Sequence, residues 1–338
     1  MNKIVATAFL IALSVFLPLA AQEDPYEQAK ALLEKDDLKG AMPLLEKAIA
    51  AGNADAMVHF VFVSPDLEPG AKLALLLKAA EKENGIALFN LGHYFYRKDP
   101  AKAADFYKRA MAAGQPGAGT RYGLCCLSGY GVKKDHAAAK LAFQQDIAKN
   151  DPAAMNFCAV MMARDGEHEA AYALLKKAAD AGFAPAINNL GILMRNGNKP
   201  EDRKAAFRYF TRAAHDDFPP AVRNLAMAYF SGLGTDVNYD AARRFAAHAA
   251  RKGDAPAMHM LGMMDLYGYG KEKDPATAFI WYLMAAEKGY VPAMIQVAEM
   301  YQNGQGTKVD PATAEKWLAL ARKVKKTETP ETLPEPEK

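Results

Sequence analysis

Alanine recurs along this chain with a regularity that few folds can accommodate. Eight positions serve as anchors: Gly52, Glu83, Gly114, Asn150, Gly182, Asp217, Gly253 and Gly289, spaced 31, 31, 36, 32, 35, 36 and 36 residues apart. Four residues after each anchor stands alanine, eight times out of eight, from Ala56 to Ala293. Nine residues after, the side chain is small in seven of eight cases, with Gly92, Gly123, Gly191 and Gly262 among them. Offsets of this kind stack on one face of an α-helix, and small residues there let a neighbouring helix approach closely. A second apolar series precedes each anchor. Alanine stands four residues before it in seven of eight cases, Asp146 being the exception, and eleven before it in seven of eight. Leu45, Leu76, Tyr107, Phe143, Leu175, Tyr209 and Tyr282 fill the space between. Both series have a period near 3.6, and no alternating β-branched run competes with them. The pattern predicts an all-α chain in which paired helices stack as repeats.

The same phrase is written twice, 36 residues apart: "YGYGKEKDPATA" from Tyr267 and "NGQGTKVDPATA" from Asn303. A Gly-x-Gly beside lysine suggests a phosphate cradle. A nucleotide P-loop, however, needs Gly-x-x-x-x-Gly-Lys-Ser/Thr after a strand. Here no strand precedes it, and the glycine pair recurs in four loops: Gly129/Gly131, Gly232/Gly234, Gly268/Gly270 and Gly304/Gly306. The phrase therefore reads as punctuation between two helices. Glycine ends the first helix, Asp135, Asp274 or Asp310 caps the second, and Pro275 and Pro311 suit its first turn.

The stretch "APAMHMLGMMDLYGYGKEKDPATAFIWYLMAAEKG" (Ala255–Gly289) resembles a Sel-one-like repeat (SLR), a relative of the tetratricopeptide repeat (TPR). Ala257, Leu261, Gly262, Gly268, Gly270, Asp274, Ala278, Trp281, Tyr282, Ala285 and Ala286 carry the likeness. Asp265 stands where the family phrase has tyrosine, although Tyr229 and Tyr301 keep it in other units. The likeness extends over residues 52–322, and three units with short loops look more like ordinary TPRs. It implies a right-handed α/α solenoid. With a degenerate N-terminal pair in residues 22–51, the solenoid has about nine antiparallel helix pairs and runs over residues 52–325.

The ends of the chain read differently. Lys3, an apolar run from Ile4 to Leu17, Pro18 and the small pair Ala20–Ala21 have the layout of a secretory signal peptide over residues 1–21. The alternative is an uncleaved membrane anchor, for which the segment is short. No other stretch is apolar enough to cross a bilayer, so the mature chain is expected in the periplasm or outside the cell. Residues 326–338 are rich in proline and glutamate and read as a disordered tail. Formal net charge is +3 and no basic block recurs, which argues against nucleic acid as a partner.

Little in the sequence suggests chemistry. Seven scattered histidines form no converging ligand set, so no metal or cofactor is expected. Met258, Met260, Met263 and Met264 could hold soft Cu(I), but methionine is the ordinary gap-filler of a helix core. No Ser-x-x-Lys nucleophile motif occurs. Cysteine-rich exported SLR proteins staple their repeats with disulfides, and a few bind or slowly hydrolyse β-lactams. That likeness implies a candidate Cys126–Cys158 bridge, the other reading being small buried apolar residues. Cys125 is the third cysteine, and the repeated cysteine pairs of those members are missing.

By the resemblance, the first helix of each pair lines a concave face. The residues six and seven after each anchor leave the crowded stripe and are polar in the middle units. Arg121, Asn156, Asn188, Asn189, Arg223, Asn224 and His259 are therefore expected to contact an extended peptide or protein partner. Asparagine can both donate to and accept from a peptide backbone, and arginine can pair with a carboxylate. The leading expectation is an exported, non-catalytic scaffold for protein or peptide binding. Its alternatives are a cell-envelope enzyme of the weak β-lactam-hydrolysing or penicillin-binding type, and a module that associates with peptidoglycan or other envelope components.

Overall fold

The repeat pattern becomes helices wherever it was legible. A computed structural model describes residues 24–197 and 199–327, so the expected signal peptide lies outside the described residues. Among those residues there are eighteen α-helices and no strand. They fall into two compact units divided between Ala118 and Gly119.

The first unit holds α1 (Pro25–Leu33), α2 (Leu38–Ala50), α3 (Ala54–Val63), α4 (Pro69–Glu81), α5 (Gly85–Phe95) and α6 (Pro100–Ala112). The second begins within α7 (Ala118–Ser128) and continues through α8 (His136–Ile147), α9 (Pro152–Arg164), α10 (His168–Asp180), α11 (Ala184–Arg195) and α12 (Pro200–His215). It ends with α13 (Pro219–Ser231), α14 (Tyr239–Arg251), α15 (Ala255–Tyr267), α16 (Pro275–Glu287), α17 (Val291–Asn303) and α18 (Pro311–Thr327). From α8 onward each helix packs on the next, and the first helices α9, α11 and α13 also touch one another. These are the antiparallel pairs of an α/α solenoid. Lys326 and Thr327, expected to open the tail, belong to α18. Residues 328–338 lie outside the described residues.

All eight alanines four residues after the anchors are 0% exposed, as are Ala41, Ala103, Ala139, Ala171, Ala206, Ala242 and Ala278 on the second helices. A larger side chain has no room there without separating the helices. The glycines nine residues after the anchors have a more particular role. A methyl group on Gly123 would lie 2.6 Å from Phe143 Cε1, on Gly191 2.6 Å from Phe210 Cε1, and on Gly262 2.9 Å from Tyr282 Cδ1. Each glycine accepts the flat face of a fully buried ring from its own repeat's second helix. In α12 that ring belongs to Phe210, which is 1% exposed, and not to Tyr209 as the spacing suggested.

The doubled glycine phrase divides its work. Gly268 and Gly304 end α15 and α17 in the left-handed conformation, at φ 80° and 67°. The second glycine is needed for a different reason. A Cβ on Gly306 would fall 2.0 Å from the Pro275 carbonyl oxygen, because the loop lies against the first turn of α16. Asp135, Asp274 and Asp310 cap the following helices as expected, accepting from the amides of Ala138, Thr277 and Thr313 at 2.9, 3.0 and 3.0 Å.

Candidate functional site

The polar residues expected to face a partner mostly face each other. Asn189 Nδ2 donates to Asn156 Oδ1 at 2.8 Å, and Asn224 Nδ2 donates to Asn188 Oδ1 at 2.8 Å. Arg223 Nη1 donates to both carboxylate oxygens of Asp254, at 3.1 and 2.9 Å. Asp254 in turn caps α15 by accepting from the Ala257 amide at 2.8 Å. One polar ladder thus runs from α9 to α11 to α13 to α15, tying each first helix to the next.

The ladder corrects part of the expectation. Asn156 and Asn188 are each 4% exposed, so their side chains do not present themselves to a ligand. A buried amide has to be hydrogen-bonded, and the adjacent repeat supplies the partner. Asn189, Asn224 and Arg223 sit half-buried at the rim, as does Arg121 on α7. His259 is half-buried, with its ring against Tyr282 and Tyr290 at centroid distances of 5.1 and 5.5 Å. Burial lowers its pKa below the usual 6.5, so it is neutral at pH 7. The first helices also expose Met227 (40%), Tyr267 (56%) and Ile295 (39%). The geometry therefore offers hydrogen-bonding edges and apolar contacts, spread over several repeats.

Cys125, Cys126 and Cys158 are buried and form no disulfide. Cys126 and Cys158 lie in one core cluster with Phe143 and Leu124, and no bridge joins them. They fill space in the core, and Cys126 also hydrogen-bonds with Tyr122. Burial also raises the Cys125 thiol to about 12, so it is not a nucleophile at neutral pH. Met258, Met260 and Met264 are core residues, each 3% exposed or less. Among the described residues, no three His, Cys, Asp or Glu side chains converge as metal ligands.

Two buried charges were not expected at all. Asp265, 1% exposed, receives Arg243 Nη1 and lies 3.1 Å from Lys271 Nζ. Asp146, also 1% exposed, accepts from the Thr120 amide at 2.7 Å and from the Thr120 hydroxyl at 3.1 Å. It caps the first turn of α7 from the neighbouring helix. The sequence did carry a signal for each: both stand where the repeat pattern breaks, Asp265 in place of tyrosine and Asp146 in place of alanine.

The profile of the Sel1 repeat matches seven times, at residues 85–115, 119–141, 152–183, 184–218, 219–254, 255–290 and 291–323. The chain belongs to the Sel1 repeat family. The matched Sel1 repeats begin at Gly85, so α1 to α4 extend the array beyond them. Among solved structures, the chain is similar to a Sel1 repeat protein from Oxalobacter formigenes, with 23% identity and TM-score 0.57, covering 91% of this chain and 92% of that one. It is also similar to c5321, a protective antigen of uropathogenic Escherichia coli strains displaying an SLR fold, with 23% identity and TM-score 0.58. That match covers 82% of this chain but only 63% of c5321. The human IFIT1 dimer with PPP-AAAA matches at 14% identity and TM-score 0.52, covering 88% of this chain and 81% of that one. At these identities the likeness is one of fold. No curated protein matches the chain by sequence.

Proposed function

We propose that this Sel1 repeat protein is an exported, non-catalytic scaffold that binds a protein or extended peptide along the first helices of its second unit. One observation carries the reading. The polar ladder holds consecutive first helices in register and leaves Asn189 and Asn224 half-buried; Met227 is exposed on the same helix as Asn224, and Ile295 is exposed two first helices further on. Each of these asparagines donates to the ladder through Nδ2 and keeps its oxygen for a backbone amide. The exposed methionine and isoleucine can take apolar side chains of the same segment.

The test uses exposed residues, so that folding is not at stake. Met227→Glu combined with Ile295→Glu should cut capture of co-purifying envelope proteins at least severalfold, with the melting curve unchanged. Equal recovery by mass spectrometry would remove this face as the binding surface. Turnover of a chromogenic β-lactam by pure protein would oppose the non-catalytic part of the reading. Export rests on the composition of residues 1–21, and no helix among the described residues is long and apolar enough to cross a membrane. Cell fractionation together with the intact mass of the mature chain tests it, cleavage after Ala21 being the expected result.

A further inference from the structure

One face of α3, in the first unit, lines a small pocket. Asp55, Val58, His59 and Phe62 stand at helical spacing, one above another over two turns. With Tyr26 from α1 and Ile86 from α5 they enclose about 130 Å³. Val58 is buried, whereas Phe62 is 58% exposed and Ile86 42% exposed. The Tyr26 hydroxyl lies 2.7 Å from His59 Nδ1, with the ring centroids 5.6 Å apart, so each ring holds the other in place. Three consecutive first helices, α1, α3 and α5, thus contribute to one site.

The pocket is acidic at one end. Asp55 sits exposed in the first turn of α3, and its Oδ1 accepts from Asn84 Nδ2 at 2.7 Å. Lys30 answers Glu27 at 3.7 Å, but Asp24 and Asp55 have no cationic partner among the described residues. Burial first, and then Asp55, Glu27 and Asp24, hold the Tyr26 phenol above its usual pKa. Size narrows the occupant. Small-molecule sites run to about 300–1,000 Å³, whereas an engineered apolar cavity of about 150 Å³ holds a single benzene ring. The pocket therefore has room for one side chain. Aromatic rings beside an unmatched carboxylate favour a cation. A long basic side chain can lay its stem along Ile86 and Val58 and keep its charged head at Asp55. Arginine suits the site better than lysine, because its guanidinium is less hydrated and flat enough to stack on a ring.

We propose that this pocket takes an arginine side chain from a protein or peptide partner, the guanidinium pairing with Asp55 and lying against the Tyr26 and Phe62 rings. The site belongs to the first unit and stands or falls apart from the surface proposed on the second. The test uses an acetylated, amidated Gly-Ser-Arg-Ser-Gly peptide and its citrulline counterpart, which keeps the shape and loses the charge. Titrations of the full chain are followed through the His59 ring signal in carbon-edited proton NMR spectra, assigned with His59→Gln. The arginine peptide should move that signal in a saturable way at low millimolar concentration, and the citrulline peptide should bind about fivefold more weakly. Asp55→Asn keeps the acceptor for Asn84, and it should lower the arginine affinity about fivefold and erase the preference over citrulline. Phe62→Ala, at an exposed position, should weaken both peptides. Equal binding of the two peptides, a His59 signal that stays in place, or full affinity in either variant would each overturn the proposal.

Discussion

Asp265 and Arg243 occupy a place that other repeats give to an aromatic pair. In α13 the equivalent residue is Tyr229, set edge-on to Phe207 of α12 at 5.3 Å and 90°. In α17 it is Tyr301, edge-on to Phe279 of α16 at 5.2 Å and 87°. Asp265 and Arg243 are the same two positions one repeat along. The charged version leaves Asp265 Oδ2 and Arg243 Nε buried without a hydrogen bond. Buried ion pairs seldom outperform well-packed apolar groups, but losing one partner leaves the other charge stranded. Asp265→Ala should therefore cost about 3 kcal/mol. The double replacement Arg243→Phe with Asp265→Tyr should match or exceed the parent in denaturant unfolding. A double variant as weak as the single one would show that the pair is not interchangeable with the rings. His259 allows a prediction about pH. Its pKa is lowered by burial from 6.5, so unfolding takes up a proton below that value. Its contribution to stability is complete above pH 6.5 and declines as the pH falls below it. His259→Phe should flatten the dependence of melting temperature on pH between 7.5 and 5.5.

At the scale of the helix and its ends, glycines that look alike in sequence differ in what they do. Gly289 and Gly306 both have positive φ, 88° and 72°. A Cβ on Gly289 meets nothing within 4 Å, whereas on Gly306 it would strike the backbone of Pro275. Alanine at 289 should cost about 1–2 kcal/mol, the ordinary penalty of a left-handed residue. Alanine at 306 should cost clearly more, because the loop must also lift off α16. Equal losses in denaturant melts would mean that the loop does not bear on that helix. The cap of α7 shows the same dependence on neighbours. The start of α7 has no capping side chain of its own in the sequence, and Asp146 of α8 supplies it. Gly119 makes room, since a methyl group there would lie 2.5 Å from the Ala142 carbonyl. Asp146→Ala would restore the repeat's usual alanine, yet it should destabilise the chain by about 1–2 kcal/mol through loss of the cap. Amide exchange should rise first at Thr120.

Within each unit, helix pairs draw stability from their neighbours, because packed helices follow one another along the chain. Amide exchange should accordingly be slowest in the interior of each unit and faster in its terminal helices, α1 and α18 among them. Uniform protection along the chain would contradict this picture. The sequence alone determined the helices, their pairing and the family, because a buried alanine at a fixed offset imposes close helix packing in every copy. It also located Asp146 and Asp265 as exceptions without saying what they do. The tertiary structure decided how the polar residues are used. The spacing placed Asn156, Asn188, Asn189, Arg223 and Asn224 off the crowded stripe, and a partner was the natural inference. Whether such a side chain meets solvent, a ligand or the next repeat depends on the offset between consecutive first helices, a distance of a few ångströms that one repeat's sequence does not encode. The packing of a second helix on the next first helix likewise brings Arg243 to Asp265 across 22 residues, and the cysteines stay in the core.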